Sequence, residues 1–287
     1  MNETRAAPVA LTIAGSDSGG GAGIQADLKT FSALGVYGAS VITAVTAQDT
    51  QRVYGFVEME PAFVAQQIDA VLGDIGADAV KTGMLASAPI IEAVADRIKH
   101  WDVQRLVVDP VMVAKGGDKL LRDDAVDALR RRLLPLALVV TPNLPEAEVL
   151  VGRPLPNWDE IRKAAKEIAA FGVANVVIKG GHREEDTVTD LLFDGRDFKE
   201  LTTGRVPTRS THGTGCTFAS AIAAQLAKDE SVPNAVMAAK AYVTQALQNA
   251  FPLGHGHGPV HHFYRYWRPQ GDRAGSARSQ PSSETTA

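Results

Sequence analysis

The chain has 287 residues, and its 29 Lys and Arg against 33 Asp and Glu give a formal net charge of −4, which offers no broad positive surface to a nucleic acid. Hydrophobic residues make up 45% and charged residues 22%, as in folded globular proteins and unlike disordered or fibrous chains. The sequence lacks a run of about 18 apolar residues that could span a membrane, and a single cysteine, Cys216, agrees with a reducing compartment, so we expect a cytoplasmic protein without membrane or nucleic-acid partners.

Short apolar runs alternate with longer helical patterns along the chain, and the first helix is predicted at 22–34. The predicted strands are, in chain order, 9–14, 39–47, 79–82, 105–109, 138–141 and 175–179. Near-continuously apolar strands are typical of a sheet that is buried on both faces. Their alternation with helices favours parallel pairing. We therefore predict an α/β protein with a mostly parallel central sheet between helices.

The carboxyl-terminal third begins with a hairpin and ends in two helices. Residues 188–193 and 198–206 flank Asp194-Gly195, a turn signal between two strands. Alanine-rich helices are predicted at 214–228 and 233–249. Because the composition after Trp267 turns to Arg, Gly, Ser and Pro, we expect one domain over residues 9–267 with disordered ends at 1–8 and 268–287.

A first glycine-rich loop, residues 15–23, follows the first predicted strand and contains five glycines in nine residues. Gly21-x-Gly23-x-x-Ala26, with Asp49 near the end of the next strand, fits a relaxed dinucleotide-binding pattern. The same glycines also fit a turn that only packs a helix against a strand. These residues by themselves leave both interpretations open.

A second glycine-rich loop, Ser-Thr-His-Gly-Thr-Gly-Cys-Thr at 210–217, enters a predicted helix. Small residues there expose backbone N–H groups at a helix N-terminus, which binds phosphate oxygens. Cys216 would lie in the first helical turn, where the same field lowers the pKa of a thiol. The alternative is that Cys216 is a small buried core residue.

From Leu11 to about Phe263 the sequence resembles the hydroxymethylpyrimidine and phosphomethylpyrimidine kinases of the ribokinase-like superfamily. Eight anchors occur in the family's order, among them His-Gly-Thr-Gly-Cys and Thr-Pro-Asn-x-x-Glu. The anchors are residues 14–27, 46–48, 81–85, 109–112, 141–146, 179–182, 212–216 and 258–263. The resemblance assigns the first glycine loop to the substrate side and not to a dinucleotide.

The resemblance implies a ribokinase-like three-layer α/β/α sandwich and a homodimeric kinase of thiamine biosynthesis. Its reaction would transfer the ATP γ-phosphoryl group to 4-amino-5-hydroxymethyl-2-methylpyrimidine and then to the monophosphate. The residues implied for the pyrimidine pocket are Gly15, Asp27, Gln48, Met84 and Val111. A glutamine amide carries both a donor and an acceptor, which suits an aminopyrimidine edge. Without the resemblance, the sequence favours Gln48 as a strand-end cap and Met84 as an ordinary core residue.

On the nucleotide side, the resemblance implies ATP contacts from Asn143, Lys179, Thr211 and His212. Glu146 and Asp109 are implied for Mg²⁺, which takes few direct carboxylates. The implied catalytic residues are Gly213, Thr214, Gly215, Cys216 and Lys179. Cys216 would accept the hydroxymethyl proton, so we expect Cys216→Ala to slow the first phosphorylation more than the second. Taken singly, Glu146 could only cap a helix and Lys179 could be a solvated strand end.

Two further features and three other functions stay open. Residues 114–118, with paired glycines, could form a lid or an ordinary surface loop. His255, His257, His261 and His262 could suggest a metal site, although the last two belong to the family's terminal anchor. The alternative functions are a dinucleotide-dependent oxidoreductase, a small-molecule binding module without catalysis, and a kinase of the related pyridoxal type.

Overall fold

The computed structural model describes residues 7–112, 123–181 and 186–268. Within them, nine strands form one sheet. The strands are β1 (Val9–Asp17), β2 (Tyr37–Gln48), β3 (Val53–Glu58), β4 (Ala79–Thr82), β5 (Leu106–Val108), β6 (Val139–Val140), β7 (Asn175–Ile178), β8 (Thr187–Phe193) and β9 (Phe198–Gly204). Their spatial order is β3-β2-β1-β4-β5-β6-β7-β8-β9.

Neighbouring strands pair in parallel along the run β2-β1-β4-β5-β6-β7. The pairs β2–β3, β7–β8 and β8–β9 are antiparallel. The mostly parallel sheet is therefore confirmed. So is the predicted hairpin, in which β8 and β9 flank a turn with Gly195 at φ +90°. Glycine reaches this backbone conformation without the steric cost that a side chain would add.

Helices cover both faces of the sheet. They are α1 (Gly23–Ala33), α2 (Pro61–Asp74), α3 (Ala88–His100), α4 (Asp123–Ala128), α5 (Leu144–Val151), α6 (Trp158–Ala169), α7 (Thr214–Leu226) and α8 (Val232–Gln248). One core cluster joins β1 to α2–α6 through Leu11 and Ile13, and a second joins the same strand to α1, α7 and α8 through Ala10. Alternate residues of a strand point to opposite faces, which yields the predicted three layers.

The expectation of burial on both faces holds for β1 and β4–β7 but is wrong for the carboxyl half of β2. That half pairs with β3, which the sequence analysis missed and which lies at the edge of the sheet. Val45, Phe56 and Val57 are consequently 45%, 36% and 68% exposed. Apolar runs predict burial only where a second layer covers the strand.

Several expectations fall at the limits of the described residues. The predicted lid at 114–118 and most of the predicted disordered ends, residues 1–6 and 269–287, lie outside them. Pro8, expected in the disordered amino-terminal end, instead accepts a hydrogen bond from the Tyr37 N–H at 2.9 Å. No helix within the described ranges is both long and apolar enough to cross a membrane.

A buried ionic cluster joins four elements at the centre of the fold. The Asp27 carboxylate on α1 accepts hydrogen bonds from Thr12 Oγ1 on β1 at 2.6 Å and from Ser220 Oγ on α7 at 2.5 Å. Lys81 Nζ on β4 lies 2.9 and 2.8 Å from its two oxygens. All four residues are 0% exposed. A buried charge is tolerated only when it is paired and hydrogen-bonded, so this cluster fixes α1 and α7 against the sheet.

We predict that Lys81→Met lowers the free energy of unfolding by about 3–5 kcal/mol, because it leaves Asp27 as a buried charge without compensation. Urea unfolding followed by circular dichroism measures this loss. The double variant with Asp27→Leu should recover most of it, since the charge disappears with its partner.

The matched control is Arg162→Ala. Arg162 Nη2 lies 2.6 Å from Glu200 Oε1, but the two side chains are 39% and 48% exposed. An exposed pair contributes about 1 kcal/mol or less. If Lys81→Met destabilised the protein no more than Arg162→Ala, the buried cluster would not be the constraint we describe.

Candidate active site

The predicted site residues gather where the parallel strands end. Asp109 follows β5, Asn143 follows β6 and Lys179 follows β7, while β1 runs directly into the first glycine loop. In an open parallel sheet the carboxyl ends of the strands meet at one edge, and ligands bind beyond that edge. The topology therefore brings together residues that are far apart in the sequence.

Asp17, at the end of β1, organises the first glycine loop. Its carboxylate accepts hydrogen bonds from the N–H groups of Gly19 at 2.8 Å, Gly21 at 3.0 Å and Ala22 at 2.7 Å. The last two amides lie at the start of α1, where a dinucleotide site would bind its pyrophosphate. The chain's own carboxylate already occupies that position.

Asp49, the other element of the dinucleotide interpretation, also has an internal use. Its Oδ1 accepts the N–H groups of Gln51 and Arg52 at 2.7 and 3.0 Å, which forms the turn between β2 and β3. Side chains of this type commonly cap turns in this way. The dinucleotide interpretation of the first glycine loop is therefore wrong.

The two glycine loops pack directly against each other. A Cβ on Gly21 would lie 2.4 Å from His212 Cδ2, and a Cβ on Gly213 would lie 1.8 Å from the Gly21 carbonyl oxygen. Gly213 also has φ +76°, which favours glycine. These glycines thus permit a close backbone approach, and through it the start of α7 lies beside the end of β1.

Helix α7 begins at Thr214, as the sequence predicts, with Gly213 as its N-cap residue. Within the described ranges, the Gly215 and Cys216 N–H groups donate no hydrogen bond to the protein. The first N–H groups of a helix point away from its body and carry partial positive charge. They are available to an anion here, whereas the amides of Gly21 and Ala22, just before α1, are occupied by Asp17.

Cys216 lies in the first turn of α7 and is partly accessible. The expected lowering of its pKa is wrong for this arrangement. Desolvation by surrounding protein raises the pKa of the thiol to about 12, and the carboxylates of Asp27 and Asp109 act in the same direction. The Lys81 charge and the Gly23 N–H oppose this shift without cancelling it. The helix field is therefore weaker than the cost of desolvating a thiolate.

Lys179 and Asp109 form an ion pair against the start of α7. Lys179 Nζ lies 3.0 Å from Asp109 Oδ1, and a Cβ on Gly215 would lie 3.3 Å from the same nitrogen. Burial lowers the pKa of Lys179, but the Asp109 and Glu146 carboxylates outweigh it and raise the pKa above its ordinary value. A fixed positive charge is thus held within reach of the free amides of α7.

Asn143 and Glu146 form a capping box at the start of α5. Asn143 Oδ1 accepts the Glu146 N–H at 2.9 Å, and Glu146 Oε2 accepts the Asn143 N–H at 2.7 Å. Burial raises the pKa of Glu146 to about 7, and Asp109 adds to this while Lys179 opposes it. Both side chains serve the helix, and their roles toward nucleotide and Mg²⁺ stay predictions.

Thr211 and the histidines also have internal partners. The Thr211 carbonyl accepts a hydrogen bond from the Thr214 hydroxyl. His261 Nε2 lies 2.9 Å from the Trp267 carbonyl oxygen, and His262 Nε2 lies 3.0 Å from Thr217 Oγ1. No cluster of three metal-ligating side chains occurs in the part of the chain that the structure describes. His261 and His262 therefore belong to the packing of the carboxyl-terminal segment, whereas His255 and His257 are exposed.

The residues predicted for the pyrimidine pocket divide into two groups. Met84 packs with Ala44, Ala86 and Val111, and a Cβ on Gly15 would lie 3.2 Å from the Met84 sulfur. Gln48 lies at the end of β2, with Nε2 3.4 Å from His212 Nε2. Met84 thus belongs to a small, largely buried apolar cluster, and Gln48 is a polar group that borders the second glycine loop.

Asp27, also predicted for the pyrimidine pocket, lies in the buried ionic cluster with Lys81. Its side chain is fully buried, and both of its oxygens accept hydrogen bonds from protein groups. Its direct contact with a ligand stays a prediction. Sequence reasoning gave no role to Lys81 or Ser220, although a lysine within an apolar strand signals a buried charge that needs a partner.

Comparison with known proteins agrees with this geometry. The profile of the family described as phosphomethylpyrimidine kinase matches residues 17–261. The chain is 54% identical over 263 residues to the hydroxymethylpyrimidine/phosphomethylpyrimidine kinase of Rhizobium meliloti, which covers 91% of this chain and 98% of that protein. It is 52% identical over 255 residues to the Bacillus subtilis protein of the same name, with 88% and 94% covered.

A solved structure gives the same result for the fold. The pyridoxal kinase from Staphylococcus aureus, in complex with AMP-PCP and pyridoxal, superposes with a TM-score of 0.84 at 40% identity. The match covers 92% of this chain and 97% of that protein. The ribokinase-like fold that the sequence predicts is confirmed, and the chain belongs to the phosphomethylpyrimidine kinase family.

Proposed function

We propose that this protein uses ATP to phosphorylate 4-amino-5-hydroxymethyl-2-methylpyrimidine and then its monophosphate, in thiamine biosynthesis. The observation that carries the proposal is one juxtaposition. The free amides of Gly215 and Cys216, with Lys179 beside them, follow His212 in the chain, and the His212 ring lies next to Gln48. Met84 lies against Gly15, at the start of the first glycine loop. Phosphoryl transfer requires mainly in-line positioning and stabilisation of negative charge, and fixed amides and an ammonium group supply both.

The apolar and polar parts of the site suit a substituted pyrimidine. Met84 and Val111 would pack against the ring, and the Gln48 amide would bind its amino edge. The hydroxymethyl group would then point toward the start of α7, where the incoming phosphoryl group is held. Sequence identity of 52–54% to proteins named for this reaction supports the same assignment.

A second candidate substrate is pyridoxal, which the Staphylococcus aureus structure contains. Coupled measurement of ADP release should show turnover with hydroxymethylpyrimidine and with its monophosphate, each with a higher kcat/KM than with pyridoxal. A higher kcat/KM with pyridoxal would reverse the assignment. Saturable pyrimidine binding without ADP release would favour a binding module.

Mg²⁺ fits the acidic residues of the nucleotide side. Asp109 and Glu146 lie next to Lys179, so two carboxylates face a single ammonium group. Burial is the main cause of the raised pKa of Glu146 and Asp109 adds to it, so a cation bound beside both carboxylates would favour the charged form of Glu146. These two residues would hold the ion directly or through water, as Mg²⁺ prefers. The ion would neutralise phosphate charge during transfer.

The raised pKa of Glu146 predicts a pH-dependent affinity for Mg²⁺. Below about pH 7 the carboxyl group must release a proton before it can bind the ion, so the apparent affinity should rise about fivefold from pH 6 to 7 and level off above about pH 8. Magnesium titration of ADP release at fixed ATP measures this effect.

Glu146→Gln should remove the pH dependence and weaken the affinity at high pH. Glu148→Gln, on the same helix, is the matched control and should keep the wild-type profile. An unchanged profile in Glu146→Gln would assign the ion to other groups.

Cys216 is proposed as the base that accepts the hydroxymethyl proton in the first phosphorylation. Because its pKa is about 12, only a small thiolate fraction exists near neutral pH. We therefore predict that kcat/KM for hydroxymethylpyrimidine rises by about tenfold per pH unit between about pH 7 and 9. Cys216→Ala should abolish this rise and slow the first step much more than the second, whose nucleophile is a phosphate. A flat wild-type profile, or equal losses in both steps, would remove the base role.

We further propose that residues 9–267 form one kinase domain that acts as a cytoplasmic homodimer. The exposed apolar residues Val45, Phe56 and Val57 on β2 and β3 provide a surface that a second subunit could cover. A monomeric mass in light scattering would contradict the dimer.

A further inference from the structure

A chain of polar side chains connects the two glycine loops to the predicted pyrimidine contact. His212 Nε2 lies 2.8 Å from Asp17 Oδ2 and 3.4 Å from Gln48 Nε2. On its other side, Gln48 Oε1 lies 3.3 Å from Thr46 Oγ1. Asp17 and His212 are 3% and 7% exposed. Which end of the Gln48 amide faces which neighbour therefore depends on where the protons lie.

The contact with Asp17 decides the role of the His212 nitrogen. The carboxylate already accepts three backbone N–H groups, which keep it in its charged, accepting form. Hydrogen bonds from His212 and Ala22 outweigh burial and lower the pKa of Asp17, in agreement with this. An acceptor at 2.8 Å requires a proton on His212 Nε2. That nitrogen directs its one proton toward Asp17 and has no lone pair left to accept an amide N–H, so the end of the Gln48 amide that faces it is the oxygen.

The contact with Thr46 leads independently to the same orientation. The Thr46 hydroxyl has one proton and donates it to the Ser16 carbonyl oxygen at 3.0 Å, since a carbonyl can only accept. Toward Gln48 the hydroxyl can then only accept, so it requires the amide nitrogen. The two ends of an amide have the same shape, and a half-turn about the last side-chain bond satisfies both neighbours at once.

We propose that His212 is a positioning residue, which Asp17 holds as a donor so that the Gln48 oxygen faces His212 and the Gln48 nitrogen faces Thr46. In this orientation one amide N–H and one lone pair of the oxygen remain for a ligand. Their fixed order makes the site prefer a ring that presents an acceptor and a donor in the matching order, as an aminopyrimidine does. This inference rests on the proposed function and assigns His212 to substrate selection and not to ATP.

The backbone around His212 supports a fixed orientation. Its N–H donates to the Gly258 carbonyl oxygen at 3.0 Å, and its ring packs on Gly21, where a Cβ would lie 2.4 Å from Cδ2. The anchored backbone and the contact with Gly21 therefore hold the imidazole beside Asp17. The conservative variant is His212→Gln, because a glutamine amide nitrogen can take the place of His212 Nε2 as the donor to Asp17.

The test compares His212→Phe, which keeps a flat ring but cannot donate, with His212→Gln, which can. Each is assayed with hydroxymethylpyrimidine and with the analogue that lacks the 4-amino group, and KM for ATP is measured alongside. We expect His212→Phe to lose about tenfold in the preference for the amino substrate, with KM for ATP unchanged. His212→Gln should keep the preference within about threefold of wild type. Thermal melting shows whether each variant is folded.

Three outcomes would overturn the inference: an unchanged preference in folded His212→Phe, an equal loss of preference in His212→Gln, or a raised KM for ATP as the main effect. Nitrogen-15 NMR gives a readout that does not need turnover. His212 Nε2 should carry a proton, and the Gln48 side-chain amide signals should shift in His212→Phe but not in His212→Gln. If wild-type protein showed these signals but did not phosphorylate the pyrimidine, only the proposed function would fail.

Discussion

The Asp27 carboxylate, buried with Lys81, Thr12 and Ser220, is the constraint on which the arrangement of the site depends. Apolar contacts tolerate small displacements, whereas a buried charge is stable only where all its partners are in place. Ser220 lies one helical turn after Cys216, so both occupy the same face of α7. The ion pair that stabilises the core therefore also fixes where the thiol and the free amides of that helix lie.

Helices α1 and α7 both begin after glycine-rich loops, but the backbone amides at their starts differ in whether they have an acceptor. Just before α1, the Asp17 carboxylate accepts hydrogen bonds from the amides of Gly21 and Ala22. At the start of α7, the Gly215 and Cys216 amides have no acceptor among the described residues. The loops can lie side by side because Gly21 and Gly213 have no side chains. The first glycine loop thus supports the second, and in our proposal His212, in the second loop, orients Gln48.

Charge at the nucleotide side is balanced only in part by the protein. Lys179 faces two carboxylates, and burial raises the pKa of Glu146 to about 7 and that of Cys216 to about 12. Each of these groups would be stabilised by a cation and opposed by further negative charge. In the proposed kinase, Mg²⁺ and phosphate would bind beside Glu146 and Cys216. The protonation of these two groups would therefore differ between the free protein and its nucleotide complex.

The sequence by itself determined the mostly parallel sheet, the hairpin at Asp194-Gly195 and the start of α7 at Thr214, because apolar periodicity, turn residues and helix signals are local. It also predicted that the candidate site residues follow strand ends, and the topology brings these ends together at one edge of the sheet. Only the tertiary structure decided that β2 is half exposed and that Asp27 is paired with Lys81. It also decided that Asp17 accepts the Ala22 amide just before α1 and that desolvation raises the pKa of Cys216. These outcomes depend on which distant groups meet in a dry interior, and the energy of a buried charge is set by its partners and not by its neighbours in the chain.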